Sequence, residues 1–195
     1  NTEYVRRLWL LPDADFGSLR KVLRQNFEGK TVYPNLVNDF FSVTRQLLLT
    51  GEKGRALEAS QLAIEFYPTA ATPNLMHGIA LIVNQQPAQA QESLKKAVAI
   101  NPQGAVSAGG LNNIAYQLAG AGMLEEGMAI LRVAIEMYPK EANLYDSMGE
   151  FLLRKGDKAK ALESYKKALE VNPNFPNATN AREIVKKLSN EVGGQ

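Results

Sequence analysis

Few residues of this chain have the type and spacing to do chemistry. His77 is the only histidine and there is no cysteine, which rules out thiolate catalysis, disulfides and cysteine-based zinc sites. A single imidazole with no second nitrogen or sulfur ligand makes a poor metal centre. The register of His77, one residue before Gly78 and four before Leu81, places it among the packing positions of a helix, so a core histidine satisfied by a neighbour is the expected role. Asp146 and Glu150 stand four apart and would share one helix face, as paired carboxylates of a glycosidase or metal site do. No acidic segment elsewhere answers them, and a solvated acidic face is the simpler reading. The stretches GEKGRA (51–56) and AGAGM (119–123) are rich in glycine, but neither follows an apolar strand or ends in Lys-Ser/Thr, so they read as turns between helices rather than phosphate loops. Asn177-Ala178-Thr179 has the form of a glycosylation acceptor, a motif short enough for chance to supply it. The inventory predicts no catalytic residue, no metal and no cofactor.

The elements that carry these residues are marked by four prolines. Pro68, Pro102, Pro139 and Pro173 are spaced by 34, 37 and 34 residues, and three of them end near-identical runs, AIEFYP, AIEMYP and ALEVNP. A period of 34 is that of a stacked helix-turn-helix unit. Residues 142–173 show the unit best. Leu144, Tyr145, Met148 and Leu152 recur at three- and four-residue steps on one face of a helix running from Asn143 to Lys155. Gly156 is placed to end that helix and Asp157 to cap the next, in which Ala161, Leu162, Tyr165, Ala168 and Leu169 share a face. Asn172-Pro173 stops it, because proline lacks an N–H donor and restricts the residue before it. Gly149, Ala161 and Ala168 are small where helix backbones must approach, and a mid-helix glycine costs about 1 kcal/mol relative to alanine, so Gly149 implies a packing reason.

This order of large and small residues resembles the tetratricopeptide repeat family. The match runs back through Leu111, Ile114, Ala115, Leu118, Gly127, Leu131 and Ala134, through His77, Gly78, Leu81, Ala90, Leu94 and Ala97, and through Phe40, Val43, Leu47, Ala56 and Ala63. Thr44 in place of a glycine, Ser60 in place of an aromatic residue and Asn74 in place of a bulky one are departures expected to weaken single repeats. The resemblance implies an all-α fold, a right-handed α-α superhelix of antiparallel helix pairs. Its repeats would span 37–70, 71–107 with a longer loop in QGAVSAGG, 108–141 and 142–175, followed by a capping helix at 176–189 and a tail at 190–195. In that capping helix Ala181, Ile184, Val185 and Leu188 would face inward. Residues 1–36 admit two readings, with a helix near 15–28 in both. Val32-Tyr33-Pro34 precedes Tyr67-Pro68 by 34 residues, as a degenerate extra unit would. The competing reading takes EYVRRLWLLP, Glu3 to Pro12, as a tail or the remnant of a preceding domain, with Pro12, Asp13 and Asp15 set against a regular first helix.

The family typically holds peptides in a groove lined by the first helix of each pair. Carried over by register, that groove would present Asn38, Phe41, Arg45 and Leu48, then Thr72, Leu75, Ile79 and Ile82, then Asn112, Asn113 and Tyr116, then Asn143, Asp146, Glu150 and Arg154. It would run from an apolar anchor at Phe41, Leu75 and Ile79, through backbone-bonding asparagines, to an acidic end at Asp146 and Glu150 that suits a basic partner. A competing reading packs Phe41, Leu75 and Ile79 against the N-terminal segment. The carboxylate clamp of chaperone-binding relatives is not matched, since its places hold Phe41, Arg45, Met76, Gly109 and Asn113.

Composition narrows the partner further. The chain has 195 residues, 45% hydrophobic and 22% charged, with a net charge of +2 and its cations interspersed among acids. This pattern offers no electrostatic grip on nucleic acid and no run of apolar residues able to span a bilayer. A protein or peptide partner is expected. A narrower resemblance links residues 111–178, through Leu111-Asn112-Asn113, Tyr138-Pro139 and the NLYDSMGE run from Asn143 to Glu150, to the C-terminal repeats of bacterial serine hydrolases of the β-lactamase and esterase types. It implies an accessory region whose partner is an upstream catalytic domain in the same polypeptide, in a periplasmic or secreted setting. Ser147 lies within a repeat helix without a glycine-flanked elbow and is not read as a nucleophile. The start at Asn1 without methionine or signal segment reads as a fragment of something longer.

Overall fold

The structure is a computed structural model that describes residues 16–27, 36–102 and 106–192. Every regular element among them is an α-helix: α1 (Phe16–Phe27), α2 (Val37–Leu49), α3 (Lys53–Phe66), α4 (Ala71–Val83), α5 (Pro87–Ile100), α6 (Ala108–Gly120), α7 (Leu124–Met137), α8 (Ala142–Lys155), α9 (Lys158–Val171) and α10 (Ala178–Val192). The expectations placed on Glu3 to Pro12 and on Val32-Tyr33-Pro34 lie outside the described residues. The chain divides into two compact units, residues 1–106 and 107–195.

One turn is used four times. After α8 the backbone N–H of Asp157 donates to Leu152 O at 2.9 Å and that of Gly156 to Leu153 O at 3.0 Å, the paired bonds that close a helix through a left-handed residue. Gly156 supplies that residue at φ +91°, and Asp157 then caps α9 by accepting from Lys160 N at 3.1 Å. The same two bonds recur at Glu52 and Gly51, at Gln86 and Gln85, and at Met123 and Gly122. Gln85 is the exception in residue type, at φ 61°.

In the first unit α2 pairs with α3 and α4 with α5, joined by short turns that force antiparallel packing. Helix α1 lies on α3, burying Phe16, Leu19 and Leu23. Arg20 and Arg24 grip Glu65 from there at 2.8 and 2.6 Å. In the second unit α6 pairs with α7 and α8 with α9, and α10 packs on α9. Ala181 and Leu188 of α10 are buried as expected, whereas Ile184 and Val185 are half-buried. The expected loop QGAVSAGG is shorter than its glycines suggested. Ala108, Gly109 and Gly110 already belong to α6, because Ser107 caps that helix by accepting from Gly110 N at 3.1 Å.

Close approach explains the small residues. A Cβ on Gly149 would sit 2.8 Å from the Tyr165 ring, and one on Gly78 2.7 Å from Leu94. The third pair exchanges the small residue: Ala115 stands where the others have Gly78 and Gly149, and Gly127 stands where they have Ala90 and Ala161. A Cβ on Gly127 would meet Ala115 O at 2.7 Å. In the first pair Thr44 holds the glycine position and Ser60 the position of Leu94 and Tyr165, and both are 0% exposed. The two departures are complementary in volume, a larger residue on one helix being matched by a smaller one on the other.

Candidate partner-binding surface

The second unit brings the expected polar groove residues into one strip across α6 and α8. Tyr116 of α6 donates through its hydroxyl to Glu150 Oε2 of α8 at 2.6 Å and lies 3.4 Å from Ser147 Oγ. Its ring stands edge-on to buried Phe151 at 4.9 Å, over which Arg154 places its guanidinium at 5.4 Å. One turn before Glu150, Asp146 accepts from Asn177 Nδ2 at 2.7 Å. The Tyr116–Glu150 bond joins corresponding places on successive first helices, 34 residues apart, whereas Asn177, 31 residues after Asp146, stands just before α10. Asn113 and Glu150 are exposed, while Asn112, Tyr116 and Asp146 are half-buried.

The electrostatics follow from that burial. Burial pushes the Tyr116 hydroxyl up to about 12, and the adjacent Glu150 carboxylate adds to the effect. Burial likewise raises the Asp146 carboxyl above its ordinary range, with the neighbouring Glu150 charge helping and the Asn177 bond opposing. Asp146 Oδ1 and Asn112 Oδ1 are buried acceptors without a donor. The two acids are therefore partly engaged by their own fold rather than standing free on a solvated face.

The first unit differs from the expectation. Phe41 is 38% exposed and Arg45 is exposed, but Leu75 and Ile79 are 3% and 1% exposed. The apolar anchor predicted at Leu75 and Ile79 is corrected: these side chains belong to the core. The physical reason is the composition of α4, LMHGIALIV from Leu75 to Val83, which is apolar on all sides and so is covered on all sides. Phe41 is not buried with them, and most of the N-terminal segment that the competing reading sets against it lies outside the described residues. His77 is a core residue as expected, 3.0 Å from Ser60 through Nδ1. Sequence reasoning missed Asn177, whose side chain serves Asp146, and the Tyr116–Glu150 bond. For Tyr116 and Glu150 the available signal was their spacing of one repeat, 34 residues; the 31-residue spacing of Asn177 from Asp146 gave none. Among the described residues no group of three or more His, Asp or Glu side chains is placed to hold a metal, and no helix is long and apolar enough to cross a membrane.

No curated protein matches the chain. Among solved structures it is similar to a MamA protein, at TM-score 0.43 and 20% identity over 80% of this chain and 82% of that one. It is also similar to pilF of Pseudomonas aeruginosa, at TM-score 0.42 and 22% identity over 81% and 69%. A third similar structure is MamA of Desulfovibrio magneticus RS-1, at TM-score 0.42 and 16% identity over 84% and 99%. Scores of this size support no functional inference. The family model that matches is the Tetratricopeptide repeat, over residues 142–175, the segment that contains α8, α9, Asp146 and Glu150. Residues 142–175 of the second unit thus match a tetratricopeptide repeat, and the described residues form an all-helical fold of repeated helix pairs.

Proposed function

We propose that the chain is a non-catalytic interaction scaffold that receives a peptide or partner surface on the strip formed by Asn112, Asn113, Tyr116, Asp146 and Glu150. The observation that carries this reading is the half-buried Asp146 charge beside Glu150. A carboxylate held with one oxygen unpaired lowers stability, and a residue kept at that cost is most simply explained by what it contacts. Two acids one turn apart, next to exposed Asn113, suit a peptide with a lysine or arginine flanked by free backbone donors. Phe41 and Arg45 remain candidates on the first unit, whereas Leu75 and Ile79 do not. Binding should be measured on the full chain with peptides in which one position steps through Lys, Arg, Ala and Glu. Basic peptides are expected to bind best and to be lost by the double variant Asp146→Lys, Glu150→Lys. Equal binding by that variant would remove the strip from the model.

A second reading, an accessory region of a bacterial serine hydrolase, rests on the sequence of residues 111–178 and its NLYDSMGE run. The coding sequence upstream of Asn1 tests it: a serine-hydrolase domain there supports it, and a signal sequence directly before Asn1 sinks it.

A further inference from the structure

The first unit buries a polar cluster that peptide recognition on the second unit does not use. Thr44 of α2, Ser60 of α3 and His77 of α4 are 0%, 0% and 8% exposed. Ser60 Oγ lies 2.7 Å from Leu57 O and 3.0 Å from His77 Nδ1. A hydroxyl has one hydrogen and a carbonyl only accepts, so that hydrogen goes to Leu57 and Ser60 turns a lone pair to the imidazole. Nδ1 therefore carries a proton, and the neutral ring keeps its basic lone pair on Nε2.

We propose that His77 is an acid-sensitive core residue: a second proton on its ring, buried without a compensating charge, loosens the first unit, while the second unit keeps its fold. With 8% of the residue exposed, His77 is open enough for a proton to arrive and too enclosed to hydrate the cation that results. Among the described residues no carboxylate acts on the ring to compensate. From α5 comes Lys96, a like charge paired with Glu92 at 3.4 Å. From α3 comes the neutral Ser60, and among the described residues no charge of α2 or α3 acts on the ring. Burial and Lys96 accordingly hold the imidazole below its ordinary pKa of 6.5. Because the folded value is lowered, the stability that the neutral ring contributes is intact above 6.5 and declines as the pH falls toward the folded value. The second unit contains no histidine, since the chain's only one is His77, and it serves as an internal control.

A single histidine gives a single imidazole Cε1–H resonance, which can be followed by NMR in the full chain from pH 8 to 5.5, together with amide exchange corrected for intrinsic rates. The resonance is expected to hold its neutral position through pH 6.5 and to move only as protection in α3 and α4 falls. That opening should grow by about tenfold for each pH unit between the ordinary and folded pKa values, with no loss of protection in α8 and α9. In His77→Gln the decline over this range should disappear. A ring that titrates at its ordinary value with amide protection unaltered would overturn the proposal, as would the same acid loss in His77→Gln. If that variant does not fold, the wild-type titration decides alone.

Discussion

The Tyr116 hydroxyl and the Glu150 carboxylate meet at 2.6 Å from the same place on successive first helices, 34 residues apart. This bond ties α6 to α8 independently of the apolar core. Tyr116→Phe is expected to lower the unfolding free energy by about 1 kcal/mol, the net worth of a bond to a solvent-exposed charge. Glu150→Gln, which keeps an acceptor, should lose less. The Tyr116 pKa is raised to about 12 from 10, so the stability it contributes is present below pH 10 and lost as the pH rises toward 12. Urea unfolding of wild type and Tyr116→Phe at pH 8 and 11 checks both: the gap between them should narrow at the higher pH.

Gly78, Gly127 and Gly149 are expected to be the least replaceable of the described helical glycines. An alanine Cβ at Gly127 would press on a backbone carbonyl that cannot turn away, and at Gly149 on the Tyr165 ring. Overpacking of about 1–3 kcal/mol should outweigh the roughly 1 kcal/mol that alanine gains in helix propensity. Tyr165→Ala, which removes a ring 3% exposed, should cost about 3–5 kcal/mol. Thermal denaturation ranks these substitutions.

Thr44 and Ser60 should behave as a coupled pair. Ser60→Leu alone forces a leucine against Thr44 and removes the partner of His77. Thr44→Gly together with Ser60→Leu recreates the Gly78 and Leu94 pairing of the next repeat. A double-mutant cycle is expected to give a favourable coupling of about 0.5–3 kcal/mol, and additive changes would refute the complementarity.

Gln85 holds a left-handed backbone at φ 61° where the other three turns have glycine. Gln85→Gly is expected to raise stability by about 1 kcal/mol, the usual penalty of a side chain in that conformation. A loss on chemical denaturation would mean that the side chain makes a contact outweighing the strain.

Asp146→Asn should stabilise the fold at neutral pH by up to about 1 kcal/mol, by removing a half-buried charge beside Glu150. The sign follows from its raised pKa: the folded state prefers the protonated group, so its contribution is fully present below the ordinary carboxyl range and is lost as the pH rises through the raised value. Wild type and variant should therefore converge in acid. Weakened binding of basic peptides by the same variant would mark the residue as one retained for recognition at the expense of stability.

Local sequence signals were enough to read the helices and their turns. Four prolines, each two residues past a helix end, and the glycines at 51, 122 and 156 act within a few residues of themselves, through a missing N–H and a permitted left-handed conformation. The period of 34 likewise made the small residues legible as contact points. Ser107, by contrast, caps α6 so early that Gly109 and Gly110, which look like loop, are helical. What only the tertiary structure decided is which face each helix keeps open. Leu75 and Ile79 share their register with the exposed Phe41 and Glu150, yet they are core, because burial depends on what lies across from a residue as well as on its own spacing. For the same reason, Thr44 and Ser60 looked like defects until opposed, and Asp146 and Glu150 looked free until Asn177 and Tyr116 were seen to reach them.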